Sequence, residues 1–352
     1  MIRNIQALRA IAAMLVVVAH FQPLLMQAHP ALQWVGLGRA GVDLFFVISG
    51  FIMVYTTERD PVGPKTFALR RIQRIVPLYW AVTLALFALA LAAPSLLGAS
   101  RPDPVWLVKS LLFIPFDKGD GTANPLVPVG WTLNYEMFFY AVFALALFLR
   151  SGRGRYLAVV GVIGALGLVG LVAEFSQLHL QFYTRPILLE FAAGVLIALA
   201  YDRLPRVGRG PAAAGVLAFA IAMLVVLAAS GLAAADERLR VALAMAGAVG
   251  LVLAAIVLER GGAAAHARPV LELGHASYAI YLTHMFVSQA VILALRFGGL
   301  GGPTVGLLAA LSGIVACALV GLAVHHLFER PVDRTIRRLT GRPAVAKMSP
   351  SL

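Results

Sequence analysis

The chain has 352 residues, of which 61% are hydrophobic and 13% are charged, and it carries a net charge of +13. Soluble domains carry about a quarter charged residues, so this composition excludes an ordinary soluble fold and predicts an all-α, polytopic membrane protein. The single cysteine, Cys317, excludes an intrachain disulfide and a cysteine-rich metal site.

About ten transmembrane helices are predicted, because about 20 apolar residues are needed to span the hydrocarbon core. In chain order the apolar segments cover residues 5–27, 38–57, 75–97, 131–149, 156–174, 186–201, 212–231, 241–258, 274–295 and 304–327. The stretch 105–116 is too short to cross, and we expect it to be re-entrant or interfacial. Residues 1–340 are predicted to form one integral-membrane domain, and residues 341–352 a disordered cytoplasmic tail.

The distribution of basic residues predicts the orientation. With the N-terminus in the cytoplasm, the inner segments hold 20 Lys and Arg residues and the outer segments hold 7. Cytoplasmic loops are enriched in these residues, so both termini are predicted to be cytoplasmic, in a bacterial inner membrane. The positive charge is thereby interpreted as a signal of topology, with membrane lipids as partners and no nucleic acid.

The first predicted span contains two ionisable residues, Arg9 and His20, and is expected to be retained rather than cleaved as a signal peptide. Their spacing places them on nearly the same helix face, with a rise of about 16 Å between them. An ionisable group that faces lipid costs roughly 2.5–3.5 kcal/mol, so such residues usually face the protein interior and mark a site. The alternative is a snorkelling arginine and a hydrogen-bonded structural histidine.

Two carboxylates, Asp43 and Glu136, are expected in the outer halves of their spans, at a depth comparable with that of His20. A carboxylate beside a histidine can fix its tautomer and stabilise the imidazolium, which makes both residues candidate catalytic groups. For Asp43 the competing interpretation is a helix N-cap at the membrane interface.

Arg71 and Arg74 lie about one turn apart where the third predicted span begins. Two guanidinium groups on one face can bind an anion such as phosphate, although the spacing alone favours topology-setting charge. His284, near the middle of the ninth span, is either a second site residue or an interhelical hydrogen-bonding group.

The remaining polar cluster near the C-terminus consists of His325, His326 and Glu329. These residue types can bind metals, but their position at a helix end beside Arg330 favours a structural or interfacial role, and no metal is expected. Cys317 lies in an ordinary apolar run, so we expect it to pack in the core.

Four motifs occur in order along the chain. They are Arg9 followed by His20, the stretch Gly41-Val42-Asp43-Leu44-Phe45-Phe46, Arg71-Ile72-Gln73-Arg74 followed by Tyr79-Trp80, and Trp131-Thr132-Leu133-Asn134-Tyr135-Glu136. Together they resemble the membrane-bound acyltransferase family 3, and especially its exopolysaccharide acetyltransferase branch. Weaker matches are Tyr281-Leu282-Thr283-His284 and Glu329-Arg330-Pro331. The resemblance covers nearly the whole chain.

This resemblance implies an O-acyltransferase that moves an acetyl or other acyl group from cytoplasmic acyl-CoA to a hydroxyl of a cell-surface or exopolysaccharide sugar, lipid-linked or free. Acetyl-CoA would be the donor substrate. The roles it implies are catalysis by His20, Glu136 and Asp43, donor binding by Arg9, Arg71 and Arg74, and substrate binding by Trp131, Tyr135 and His284.

Several alternatives stay open at the level of sequence. His20 could act as a general base for direct transfer, or it could carry the acyl group covalently. A flippase or transporter of a lipid-linked saccharide would also need many spans with buried charges. A non-catalytic scaffold of a polysaccharide assembly complex is the third possibility, and it predicts that changes at His20 and Glu136 are silent.

Overall fold

The computed structural model describes residues 2–93, 102–119, 121–149, 152–206, 210–211, 214–215, 217–221 and 237–339. Every regular element in these ranges is helical, as the composition predicts. The predicted span 212–231 lies largely outside the described residues, and the predicted tail 341–352 lies entirely outside them.

The first part of the chain forms helices that meet at short connections. The α-helices are α1 Arg3–His20, α2 Gln22–Ala28, α3 Ala40–Arg59, α4 Pro64–Ala92, α5 Pro104–Leu111, α6 Trp131–Ala146 and α7 Arg153–Val172. Short 3₁₀ helices, Pro30–Arg39 and Pro128–Gly130, precede α3 and α6. The axes of α1 and α2 are bent by 61° relative to each other. A proline occupies the first turn of α2, where a missing N–H breaks no helical hydrogen bond.

The second part continues the bundle. Its α-helices are α8 Leu178–Tyr183, α9 Leu188–Ala200, α10 Glu237–Arg260, α11 Arg268–His275, α12 Ser277–Phe297, α13 Pro303–Val324 and α14 Arg330–Leu339. The turn His325–Glu329, between α13 and α14, is π-helical, a rare geometry that is frequent at functional sites.

The membrane-spanning helices agree in part with the predicted ten. Seven helices in the described ranges are long and apolar enough to cross a membrane, or eight if α1 and α2 together form one bent span. Of the other two predicted spans, 131–149 corresponds to α6, which has 16 residues, and 212–231 is largely undescribed. The chain is therefore a multi-pass helical bundle, while ten spans and the orientation of the termini stay predictions.

The short segment before α6 has the form expected of a non-spanning element. The helix α5 has 8 residues, and the Asp103 side chain caps it by accepting hydrogen bonds from the backbone N–H groups of Val105 and Trp106, at 2.7 and 3.2 Å. The Trp80 indole of α4 donates to the Leu111 carbonyl at 2.9 Å, which ties α5 to the bundle. A helix of this length cannot cross the hydrocarbon core.

Helix α3 packs closely against both α1 and α9. A Cβ atom at Gly41 would lie 2.3 Å from the Ala12 carbonyl oxygen of α1, and one at Gly50 would lie 2.2 Å from the Phe191 carbonyl oxygen of α9. Small residues at such positions let helix backbones approach and gain packing energy within a membrane. The position of α3 is therefore fixed on two sides, which matters because this helix forms one wall of the site.

One end of the bundle is rich in arginine. Arg59, Arg70, Arg71 and Arg74 lie where α3 ends and α4 begins, and we call this end the basic end. Helix α1 runs antiparallel to α3, so its N-terminus lies at the basic end and His20 lies toward the opposite end.

Candidate functional site

A cavity of about 590 Å³ extends along α3 from Val42 to Asp60. The helical rise over this stretch gives a length of roughly 27 Å. Helices α1, α4, α6 and α12 supply the other walls, and we call this space the arginine cavity. Its polar lining comprises Gln6, Arg9, Ser49, Tyr55, Thr56, Thr57, Arg59, Asp60, Arg70, Arg71, Arg74, Thr132, Glu136, Tyr140, Ser277, Tyr278 and Tyr281.

The charges of this lining favour an anionic ligand. Five arginines face two carboxylates, Asp60 and Glu136, which leaves three positive charges in excess among the lining residues. Guanidinium groups bind phosphate oxygens through paired, charge-assisted hydrogen bonds. A phosphorylated molecule of elongated shape therefore matches both the charge and the form of the cavity.

The three arginines predicted to bind the donor all line this cavity, but they differ in their partners. Arg9 donates to the Ser277 hydroxyl at 2.9 Å and to the Gln6 side-chain oxygen at 3.4 Å, and both partners are neutral. Arg74 forms an ion pair with Glu329 at 2.5 Å.

Arg71 is the least satisfied of the three. It donates to the Thr56 hydroxyl at 3.5 Å, and among the described contacts its buried Nε has no hydrogen-bond partner. Its guanidinium lies 5.2 Å from the centre of the Phe67 ring. Unmet hydrogen-bonding capacity on a buried cation costs free energy, so Arg71 is the arginine best prepared to bind an anion.

Glu136 lies in the same cavity as the arginines. Its Oε1 accepts a hydrogen bond from the Ser49 hydroxyl at 3.0 Å and a very short one from the Tyr140 hydroxyl. These two donors stabilise the charged carboxylate and hold it on the cavity wall. Ser49 and Tyr140 were not among the predicted site residues.

His20 forms a close pair with His284, at the opposite side of the cavity from the basic end. The two ring centres lie 4.6 Å apart with an edge-to-face angle of 72°. His284 is fully buried, and among the described contacts its Nε2 has no hydrogen-bond partner. We call these two residues the histidine pair; the structure brings together two side chains that the sequence places 264 positions apart.

Backbone carbonyls fix the tautomer of both rings. His20 Nδ1 lies 2.8 Å from the Val16 carbonyl oxygen, and His284 Nδ1 lies 2.6 Å from that of Tyr281. A carbonyl oxygen only accepts, so each Nδ1 carries the hydrogen and donates it. In the neutral rings each Nε2 is then the basic nitrogen, which is the state that a general base needs.

Tyr281 connects the cavity with the histidine pair. It lines the cavity, and its ring centre lies 5.9 Å from that of His284. Its hydroxyl shares a hydrogen bond of 2.9 Å with the Thr132 hydroxyl and donates to the Val129 carbonyl at 3.2 Å. Among the described residues, the cavity lining ends at Tyr281 and does not include His20.

The expected equal depth of the two carboxylates and His20 is corrected by the packing of α1 against α3. Because Gly41 contacts Ala12 and the two helices are antiparallel, Asp43 lies at the level of the residues around position 10. Asp43 therefore lies about 15 Å nearer the basic end than His20, measured along the helix axis. Glu136, which binds Ser49, lies still nearer the basic end.

Asp43 belongs to a separate buried cluster between α3, α9 and α10. Its carboxylate lies 4.0 Å from the Arg240 guanidinium, and the fully buried Glu190 interacts with it. The sequence interpretation missed Glu190, although an acidic residue inside the predicted span 186–201 is a visible signal. Asp43 is the fourth residue of α3, which begins at Ala40, so it does not occupy the N-cap position that the competing interpretation required.

Trp131 and Tyr135, predicted to bind substrate, lie in an aromatic core. The Tyr135 ring stacks on Phe182 at 4.1 Å between ring centres, and its hydroxyl donates to the Phe182 carbonyl at 2.8 Å. The Trp131 ring meets those of Phe46 and Tyr135 edge-to-face. Neither residue is among the described lining of the arginine cavity.

The C-terminal polar residues form a network that ends at the cavity. Arg330 Nε donates to His325 Nε2 at 3.1 Å, so His325 Nδ1 carries the hydrogen and donates it to Glu329 at 2.7 Å. Glu329 in turn holds Arg74. Among the residues that the structure describes, no group of three His, Cys, Asp or Glu side chains could hold a metal ion.

Cys317 is fully buried in an apolar cluster, and its Sγ lies 3.7 Å from the His284 carbonyl oxygen. This environment is that of a packed core residue, and burial disfavours the thiolate that a nucleophile would need.

Comparison with known proteins points to a reaction class. The sequence profile of the acyltransferase domain matches residues 2–324. The chain is 39% identical to the exopolysaccharide production protein ExoZ of Rhizobium meliloti (strain 1021), over 86% of this chain and 93% of that protein. It is 29% identical to the acyltransferase MdmB of Streptomyces mycarofaciens, over 90% of this chain and 85% of that protein. No solved structure is significantly similar.

Proposed function

The chain belongs to the family of membrane-bound acyltransferases whose domain covers residues 2–324, and from this premise we propose that it transfers an acetyl group from cytoplasmic acetyl-CoA to a saccharide hydroxyl. The observation that carries the proposal is the arginine cavity, which is cationic at one end and reaches Tyr281, beside the histidine pair, at the other. The resemblance carried by the four sequence motifs and the family match agree on the reaction class.

The acceptor is proposed from similarity. The ExoZ relative is named for exopolysaccharide production, so we take the acceptor to be a sugar of an exopolysaccharide or of its lipid-linked precursor. In this proposal the protein lies in the inner membrane and its basic end faces the cytoplasm, because cytoplasmic segments are enriched in arginine and lysine. The acceptor then approaches from the opposite end, where His20 lies.

The donor enters through the basic end. Arg71, with its unmet hydrogen-bonding capacity, contacts the phosphates together with Arg9 and Arg74. The extended pantetheine arm lies along α3 toward Tyr281, and the thioester passes this side chain to reach the histidine pair. Glu136 balances the arginine charges from the cavity wall, held by Ser49.

The chemical step uses the neutral imidazole of His20. Its Nε2 removes the proton from the sugar hydroxyl as the oxygen attacks the thioester carbonyl carbon. The tetrahedral intermediate collapses, the C–S bond breaks, and the thiolate leaves. The imidazolium returns the proton to the sulfur, so the products are the O-acetyl sugar and CoA. The Val16 carbonyl stabilises the charged ring by accepting from Nδ1 throughout.

The experiment is transfer of labelled acetyl groups by purified protein in proteoliposomes, with His20→Ala compared with the wild type. Loss of a general base lowers the turnover by about 100-fold or more. His29, an exposed histidine just beyond α2, supplies the matched control His29→Ala. Transfer at the wild-type rate by His20→Ala, at equal protein level, would contradict this mechanism. Absence of any sugar acetylation by the wild type would favour the transporter alternative.

A further inference from the structure

The mouth of the arginine cavity carries a layered aromatic platform that the proposed transfer does not use. The Arg59 guanidinium carbon lies 3.6 Å from the centre of the Tyr55 ring, and Tyr55 stacks on Phe51 at 5.3 Å with an angle of 28°. Tyr201 stands beside them, 5.1 Å from the Arg59 guanidinium and edge-on to Tyr55. The arrangement presents a planar cation and a phenol ring at the entrance of the cavity.

This platform lies just outside the phosphate-binding arginine. Arg71 donates to the hydroxyl of Thr56, so the two residues are at the same level along α3. Arg59 follows Thr56 by about one helical turn, toward the cavity mouth. A ligand whose phosphates bind Arg71 therefore places its next chemical group, on the outward side, against Arg59 and Tyr55.

The charges around the platform leave Arg59 available. Its described hydrogen bond is a long one, 3.4 Å, to the Tyr55 carbonyl. The nearby Asp60 carboxylate is paired with Arg70 at 2.5 Å on the rim. An arginine whose guanidinium carbon lies over an aromatic ring is suited to bind a nucleobase, because the planar guanidinium can stack on the π face of a purine.

We propose that Tyr55 and Arg59 form a subsite for the adenine nucleotide of the donor, at the mouth of the arginine cavity. This inference rests on the proposed function, because in CoA the nucleoside follows the phosphates on the side away from the thioester. Arg70, at the rim, faces the ribose phosphate. The protein thereby distinguishes a nucleotide-bearing thioester from the same acyl thioester on a shorter carrier.

The first test measures binding without catalysis. Adenosine 3′,5′-bisphosphate is titrated into the purified full-length protein in detergent, and the dissociation constant is compared among variants. Arg59→Ala weakens binding by about tenfold, which is the effect of one lost stacking contact. Arg59→Lys weakens binding nearly as much, because lysine keeps the positive charge but lacks the planar guanidinium that stacks on a base. Arg155→Ala is the matched control, because Arg155 also lies over a tyrosine ring, at 4.7 Å from Tyr156, but outside the cavity lining.

The second test compares two donors, acetyl-CoA and S-acetyl-pantetheine, which share the thioester and differ by the nucleotide. Arg59→Ala lowers kcat/KM for acetyl-CoA by about tenfold and leaves that for S-acetyl-pantetheine unchanged. Equal losses for both donors, or nucleotide binding that is the same in Arg59→Ala and Arg155→Ala, would overturn the subsite. Nucleotide binding that depends on Arg59 without any transfer to sugar would instead sustain the subsite and refute the proposed reaction.

Discussion

The arginine cavity and the histidine pair solve the problem of polar groups in a membrane in opposite ways. The cavity concentrates five arginines near one end of the bundle and offsets them with carboxylates such as Glu136. The histidine pair is uncharged when both rings are neutral, and each ring is held by a carbonyl of its own helix. Charged side chains cost less free energy where water can solvate them, whereas burying an ion costs several kcal/mol. A deeply buried site is therefore more stable with bases that are neutral.

The largest expected effect tests whether the two histidines act together. His284→Ala lowers turnover by about 100-fold, because the His20 ring loses the neighbour that positions it as the general base, while the KM for acetyl-CoA stays within about twofold. The KM is little changed because His284 contacts the His20 ring and is not among the described lining of the arginine cavity. Initial rates over a range of donor concentrations separate the two parameters. Cys317→Ala, which changes a neighbour in the core, is the control, and a similar loss there would indicate a packing effect instead.

The second prediction tests the close packing of α3, the helix that carries Ser49, against α1, the helix that carries His20. Gly41→Ala places a Cβ 2.3 Å from the Ala12 carbonyl oxygen, so α3 must shift away from α1. Overpacking of this kind destabilises a protein by about 1–3 kcal/mol. Thermal unfolding in detergent measures the change. Gly301→Ala, in the loop before α13 and with no atom within 4 Å of the new methyl group, should leave the unfolding temperature unaltered. Equal behaviour of the two variants would show that the contact is not tight.

The third effect separates two arginines within the cavity. Arg71→Ala raises the KM for acetyl-CoA by about tenfold, because one charge-assisted phosphate contact is lost. Arg74→Ala weakens donor binding too, and it also lowers the thermal stability, since Glu329 keeps His325 but loses its arginine partner. Donor titrations and unfolding curves on the same preparations distinguish these results. If Arg71→Ala were unstable and Arg74→Ala fully stable, then Arg71, and not Arg74, would be the arginine that stabilises the fold.

The smallest effect concerns the residue between the two regions. Tyr281→Phe removes the hydroxyl that bonds to Thr132 and to the Val129 carbonyl. The loss of about 1 kcal/mol of hydrogen bonding changes turnover by about fivefold at most. A rate change as large as that of His284→Ala would mean that the hydroxyl takes part in the chemistry.

Much of the cavity could be predicted from the sequence because ionisable residues in apolar helices are rare and costly. Arg9 and Glu136 are identified in this way, whereas Arg71 and Arg74 are identified by their spacing where the third predicted span begins, and all four line one space. The family resemblance inferred from the motifs is confirmed. The roles assigned to the individual residues stay predictions.

Other features depend on how helices pack, which the sequence pattern does not encode. The offset between α1 and α3 is set by the contact of Gly41 with Ala12, so the relative depth of Asp43 and His20 could not be obtained from counting residues within each span. The partner of Arg74 is Glu329, 255 positions away, and only the three-dimensional arrangement shows that they meet. Local spacing predicts faces of a helix, but it does not predict which neighbour a face meets.

The close contacts of α3 with α1 and with α9 limit how the cavity can be enlarged to accept a larger ligand. Its backbone is locked against α1 and α9 at Gly41 and Gly50, so this wall cannot move to widen the passage. Close-packed interiors respond to such pressure by strain rather than by smooth expansion. Enzymes redesigned for longer acyl chains should therefore keep both glycines and trim side chains on the facing helices, where Leu133 and Ile75 border the same space.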